Sequence, residues 1–353
     1  MSSRVADLPA LTAIRGFAAF YVMFFHIRDS IDGLSRPMHL FLGRGYLAVD
    51  LFFVLSGFVI WLNYAARLRA AGPAGVPAYL WRRWARIWPL HVALLAGAAA
   101  MALLFALTGR ADPVRYPFAE LPLHVLLLQN WGFTPALTWN IPAWSISTEW
   151  AAYLAFPLLV AIDWRRLPTI VLAVAFALLL AILAYAYAPQ GVLYLDVARY
   201  GLVRCLVEFA LGTIVCALWR RSTRATGAIG GAVMLAAAPL LWLGGVPETI
   251  AAPLGFAGLV LFLACRPGLL GRSGPLIWLG EVSYSIYLSH VLIWIAFKLL
   301  FVRDAAHVGP VAIAAYVAIV VIASGLLHRF VERPAQVWLN AHPPMGTVRP
   351  QRD

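Results

Sequence analysis

The chain has 353 residues, 63% of them hydrophobic and 12% charged, and a mean hydropathy of +0.82; soluble domains are nearer half apolar and a quarter charged. Its net charge of +12 is carried by arginines, with Lys298 the single lysine. Apolar runs of about 18 residues or more recur along the whole length, so the charge reads as positive loops gathered on one side of a membrane, not as a nucleic-acid surface. Period-2 alternation does not dominate, which argues against an outer-membrane barrel. Cys205, Cys216 and Cys265 all sit in apolar segments, a number and placement from which neither a disulfide framework nor a metal cluster is expected.

The pattern predicts an all-α polytopic transmembrane bundle with spans at about 10–28, 46–64, 87–108, 148–163, 167–187, 200–219, 226–244, 250–265, 283–302 and 310–329. No cleavage-site pattern follows the first apolar segment, so it is expected to be retained as a helix. Glu120–Trp131 is too short to span and is expected to be re-entrant or interfacial. With both termini cytoplasmic, seventeen arginines fall on the cytoplasmic side and seven on the other, in the sense of the positive-inside bias. Residues 1–340 read as one membrane domain and 341–353 as a short polar tail.

Ionisable residues inside spans cost roughly 2.5–3.5 kcal/mol on insertion scales and call for a reason. In the first span, Arg15 and His26 are eleven steps apart, which places them on one helix face about 16 Å apart along the axis. A snorkelling arginine and an interfacial histidine would also account for them. The second span carries Asp50 near its outer end and Ser56-Gly57 at mid-depth. Asp50 could serve the dipole of its helix start, and glycine permits close helix or ligand approach. In YLWRRWARIWPLH, Arg83 and Arg86 share a face, with Arg82 beside them. They could anchor the helix by charge, or hold a phosphate in fork geometry. NIPAWSISTEW opens the fourth span with Ser147 or Thr148 as a possible cap and Glu149 at the outer end, at a depth expected to match His26 and Asp50. On the ninth span Ser283, Tyr287, His290 and Trp294 form one stripe; a satisfied intramembrane His290 is the plainer reading. HRFVERPA closes the last span, where Glu332 suits a helix-end salt bridge.

Taken in order, RGFAAFYVMFFH, GYLAVDLFFVLSGFVI, RRWARIWPLH, WSISTEW, SYSIYLSH and ERP, spread over residues 15–334, resemble the acyltransferase family 3 of integral-membrane acyltransferases, in its stand-alone form. The resemblance implies transfer of an acyl group, often acetyl, from acyl-CoA to a hydroxyl of a carbohydrate or glycoconjugate. It implies a bacterial inner-membrane setting, with acyl-CoA, acceptor and lipid as partners and with neither metal nor nucleic acid. Members modify O-antigen, exopolysaccharides, nodulation factors, peptidoglycan or macrolide sugars. The motif arginine and histidine correspond to Arg15 and His26, the arginine pair to Arg83 and Arg86, and the motif acid to Glu149.

Thioester-to-alcohol transfer needs a base, charge stabilisation and a donor path. His26 is the candidate base in a ternary complex, with Glu149 or Asp50 as its partner acid. Arg83, Arg86 and neighbouring Arg82 are candidates for the donor's phosphates, and Arg15 for its path. Ser56, Tyr287, His290 and Trp144 are candidate acceptor contacts. A transporter or flippase of a lipid-linked or sugar substrate is the alternative, since intramembrane charges occur there too.

Overall fold

The structure, a computed structural model, describes residues 8–270 and 272–344. Fourteen α-helices follow one another. They are α1 (Pro9–Ile27), α2 (Arg36–Leu42), α3 (Ala48–Ala71), α4 (Val76–Leu107), α5 (Leu121–Val125), α6 (Ala143–Ala161) and α7 (Thr169–Ala186). Then come α8 (Val197–Arg221), α9 (Arg224–Leu243), α10 (Glu248–Cys265), α11 (Gly274–Glu281), α12 (Ser283–Phe301), α13 (Pro310–Leu327) and, after a π-helical turn at His328–Glu332, α14 (Arg333–Ala341). The only β feature among the described residues is a bridge between Ile31 and Val308.

Ten helices have 18 residues or more, at the ten expected places. Eight stretches are long and apolar enough to cross a membrane; one of them, 36–107, contains both α3 and α4. Helix α6 is not among the eight, since Ser145, Ser147, Thr148 and Glu149 fall in its first two turns. The chain is an integral membrane protein. On α7, Ile170, Val174, Leu178 and Ile182 are exposed at every fourth position, the stripe a lipid-facing helix presents.

Two helix starts differ from expectation. Helix α4 begins at Val76, not near 87, because the arginine-rich segment is continuous with the span and Pro89 lies inside the helix. Helix α6 begins at Ala143, not 148, so neither Ser147 nor Thr148 caps it. Ser147 instead ties down the segment before it: its Oγ donates to Leu127 O at 2.8 Å and accepts from Asn130 N at 3.1 Å. The stretch 120–131 is thus a short helix and turn held against α6, and no span. Backbone that cannot pair within a helix has to be satisfied by side chains at membrane depth, and Trp131, donating to Ser147 O, adds to that. Both ends of the described chain lie at one end of the bundle. Leu8 lines a cavity with Arg86, Arg86 pairs with Glu332, and Trp81 donates to Leu339 O. The expected polar tail from residue 345 onward lies outside the described residues.

Two contacts fix α3. The first is a close crossing with α8: a Cβ on Gly57 would run into Phe209 O, and one on Gly212 into Val54 O. Small residues let membrane helices approach backbone to backbone. The second is an ion pair. Arg204 of α8 donates through Nε to Asp50 Oδ1 at 2.8 Å and through Nη2 to Oδ2 at 2.6 Å. Both side chains are buried, and Nη1 and Nη2 also reach Leu193 O and Tyr46 O. Such a fork satisfies both charges where water is absent.

Two outcomes follow. Gly57→Leu is expected to lower the thermal unfolding midpoint of detergent-solubilised protein by an amount equivalent to about 1–3 kcal/mol or more. Gly97→Ala, where an added Cβ meets nothing, should leave it unchanged; equal midpoints for the two variants would contradict the crossing. Asp50→Ala is expected to cost up to about 3–5 kcal/mol, since Arg204 then keeps one carboxylate, Glu208, 3.9 Å from its Nε, while the apolar pair Asp50→Leu with Arg204→Met, made together with Glu208→Gln, recovers most of the folded yield. A single Asp50→Ala as stable as wild type would refute a structural pair.

Candidate active site

Helices α1, α3, α4, α6 and α12 enclose a cavity of about 490 Å³. On α3 its wall includes Phe52, Ser56, Val59 and Asn63, a helical stripe running about 16 Å along the axis. Gly57, next to Ser56 in sequence, faces α8 instead, so the crossing points this stripe inward. The Asn63 end also holds Leu8, Arg83 and Arg86; the Phe52 end holds Ser145 and Tyr287. There the Ser145 and Tyr287 hydroxyls meet at 2.8 Å, and the rings of Phe52 and Tyr287 pack edge to face.

Three arginines line this cavity, in three different states. Arg86 is paired with Glu332 and lies over the Tyr284 ring. Glu332 also accepts from Ser285 at 2.7 Å, so the carboxylate of the ERP motif is fully engaged. Arg83 meets no carboxylate; its Nη2 donates to Tyr64 OH at 2.8 Å, and its Nε has no partner among the described residues. Arg15 makes no hydrogen bond or ion pair within the described residues, although the charges of Glu149 and Glu332 act on it through space, opposed by Arg86. Two of the three cations therefore have no carboxylate of their own among the described residues. Glu149 faces them from α6, accepting from Ser56 Oγ at 2.5 Å and Tyr153 OH at 2.6 Å. Tyr153 had a readable signal in its i, i+4 spacing from Glu149.

The cavity stops one helical turn short of His26. Tyr287 lines it, and His290 lies three residues further along α12, about 4.5 Å by helix rise. His290 Nε2 and His26 Nδ1 are 3.0 Å apart. The tautomers follow from the remaining partners. His290 Nδ1 faces Tyr287 O at 2.7 Å and Ile286 O at 3.2 Å, so it carries a hydrogen. In the neutral ring its Nε2 is then an acceptor. His26 Nδ1 faces that acceptor and Val22 O at 2.9 Å, so it too carries a hydrogen. The lone pair of His26 is thereby left on Nε2, which makes no hydrogen bond within the described residues.

Other candidates from the sequence lie elsewhere. Neither acid expected beside His26 bonds to it: Asp50 is committed to Arg204 and Glu149 to Ser56 and Tyr153. His26, Asp50 and Glu149 therefore do not form one hydrogen-bonded cluster. Arg82 does not enter the cavity; a step of one residue turns it away from Arg83, into a separate groove. Trp144 is buried against Phe53 and lies over the Arg204 guanidinium, outside the cavity. His290 is buried and contacts His26 rather than lining the open space. Arg204 itself, 154 residues from Asp50, had no sequence signal beyond its presence in a span.

A family model described as an acyltransferase domain matches residues 8–329. "Acyltransferase MdmB" of Streptomyces mycarofaciens is 31% identical across 99% of this chain and 96% of its own. BcsY of Komagataeibacter xylinus, whose name provisionally makes it a membrane-bound transacylase, is 28% identical across 94% of this chain and 84% of its own. "Protein 2 in picA locus" of Rhizobium radiobacter is 36% identical over 30% of this chain. No solved structure matches. With the family model covering the membrane domain from α1 to the π-helical turn, this chain belongs to the Acyl_transf_3 family and is an acyl-transferring enzyme.

Proposed function

We propose that this acyltransferase of the bacterial inner membrane moves an acyl group, acetyl in the first instance, from cytoplasmic acyl-CoA to a hydroxyl of a carbohydrate or glycoconjugate. One observation carries the reading. Two arginines without carboxylate partners, Arg15 and Arg83, stand on a cavity whose closed end lies one turn from a histidine with its Nε2 lone pair unengaged. Guanidinium groups of that kind suit phosphate oxygens. The narrow length from Asn63 to Phe52 suits an extended thioester arm. The acceptor class follows from the family resemblance.

In this reading the acyl end passes the Ser145–Tyr287 contact and comes to rest beside His26. Nε2 takes the proton of the acceptor hydroxyl as that oxygen attacks the thioester carbonyl carbon. The C–S bond breaks, and the leaving thiolate takes the proton back from the imidazolium. An ester and a free thiol result, with no net proton change. His290 does what an acid does in other triads: it accepts the Nδ1 hydrogen, holds the tautomer, and leaves Nε2 as base. Transfer is direct, through a ternary complex.

Purified protein supplied with labelled acetyl-CoA and a panel of glycan acceptors tests this. His26→Ala is expected to lower kcat by about 10²–10⁴-fold, the usual worth of a general base, with little change in KM for acetyl-CoA. His290→Phe, which removes the acceptor of the Nδ1 hydrogen, should lower kcat by a smaller factor and alter its pH profile. Normal acetylation by His26→Ala would sink the base assignment, and an acyl group trapped covalently on His26 would overturn the ternary complex.

A further inference from the structure

The turn between α3 and α4 builds a second concavity, of about 380 Å³, beside the first. Arg67 and Arg82 stand on it with Tyr64 and Tyr79, over small residues that include Ala74 and Gly75. No acidic residue lines it. Neither Arg67 nor Arg82 makes a hydrogen bond or ion pair with any described residue. Tyr79 is buried, and its hydroxyl has no hydrogen-bond partner among the described residues.

The two spaces share a wall. Asn63 and Arg83 face the cavity, while their sequence neighbours Tyr64 and Arg82 face the groove. Between them lies the hydrogen bond from Arg83 Nη2 to Tyr64 OH, with the guanidinium 4.8 Å from the Tyr64 ring centre. From Ala71 in the groove to Phe52 at the closed end of the cavity is about 28 Å along α3. A ligand filling both would have a flat, multiply anionic head at the groove and a thin arm in the cavity. The small-residue floor and the Tyr64 ring suit a planar base, and two guanidinium groups without carboxylate partners among the described residues suit phosphates.

We propose that this groove of Tyr64, Arg67, Tyr79 and Arg82 is the binding site for the phosphorylated nucleotide end of the acyl donor, with Arg83 at the boundary taking the phosphates next to the arm. The proposal rests on the acyl-CoA reading of the main cavity and adds to it a place for the nucleotide. It also gives Arg82, which turns away from the cavity, a ligand of its own.

Calorimetric titration of the purified full chain in detergent, with three probes, tests it. The probes are coenzyme A, adenosine 3′,5′-bisphosphate and S-acetyl-pantetheine, which lacks the nucleotide. Wild type should bind all three, coenzyme A most tightly. Arg67→Ala with Arg82→Ala should weaken coenzyme A by about tenfold or more, as expected for lost charge-assisted hydrogen bonds. It should abolish binding of the bisphosphate and leave S-acetyl-pantetheine as in wild type. Arg67→Lys with Arg82→Lys, which keeps the charge without the fork, should recover part of the loss. Wild type that binds coenzyme A but not the bisphosphate would overturn the proposal, as would equal weakening of coenzyme A and S-acetyl-pantetheine. So would a double variant that binds coenzyme A normally yet loses a response to added anionic phospholipid, which would make the groove a lipid headgroup site. Wild type that binds none of the three probes would instead remove the acyl-CoA reading itself.

Discussion

The crossing of α3 over α8 is the constraint on which the rest depends. Gly57 and Gly212 let the two backbones meet, and Asp50 with Arg204 locks the same pair nearer the Tyr46 end. Once one side of α3 is committed to α8, its other side is fixed as the wall made by Phe52, Ser56, Val59 and Asn63. The cavity is therefore a consequence of helix packing, and its polar lining is positioned by contacts that lie outside it. A buried ion pair adds little net stability over an apolar pair, yet it is costly to break. That asymmetry suits a device that sets register.

A bilayer interior favours polar groups that are paired or face a cavity, and most of the polar residues here sort on that rule; Glu208, buried 3.9 Å from Arg204 Nε with neither oxygen hydrogen-bonded among the described residues, is an exception. Asp50, Arg204, Arg86 and Glu332 are paired. Ser147 and Asn130 secure the non-helical segment before α6. Arg15, Arg83 and Glu149 face the cavity. The His26–His290 pair satisfies its Nδ1 hydrogens on carbonyls and on one another, leaving a single basic nitrogen. Where an acid would bring a buried negative charge beside the histidine, a second neutral ring orients it without one.

Much of this was legible in the sequence, because helix periodicity and hydropathy are local. Ten long helices and the interfacial stretch before α6 stand where the apolar runs placed them. The shared face of Arg83 and Arg86 follows from three-residue spacing, and both line the cavity. What failed to read was which side chains pair across distant segments. Asp50 looked like an acid for His26 because both lie near one end of their helices, but the arginine that claims it is on α8. Glu149 looked like a residue of the first turn, since nothing in WSISTEW says that the helix starts at Ala143. His290 was visible as a buried histidine, and only the fold puts its Nε2 against His26. Arg82 was grouped with Arg83 by adjacency in sequence, whereas neighbouring residues on a helix point about 100° apart.

The central claim is that the cavity is the donor's path and that its closed end, one helical turn short of His26, points the acyl group to that histidine. Electron cryo-microscopy of the purified protein with coenzyme A bound tests it most directly. The account predicts continuous density along the α3 stripe from Asn63 to Phe52, with the thiol sulfur beyond the Ser145–Tyr287 contact and next to His26 Nε2. Coenzyme A seated outside this cavity, or lying in it with its sulfur toward Arg83 and Arg86, would contradict it.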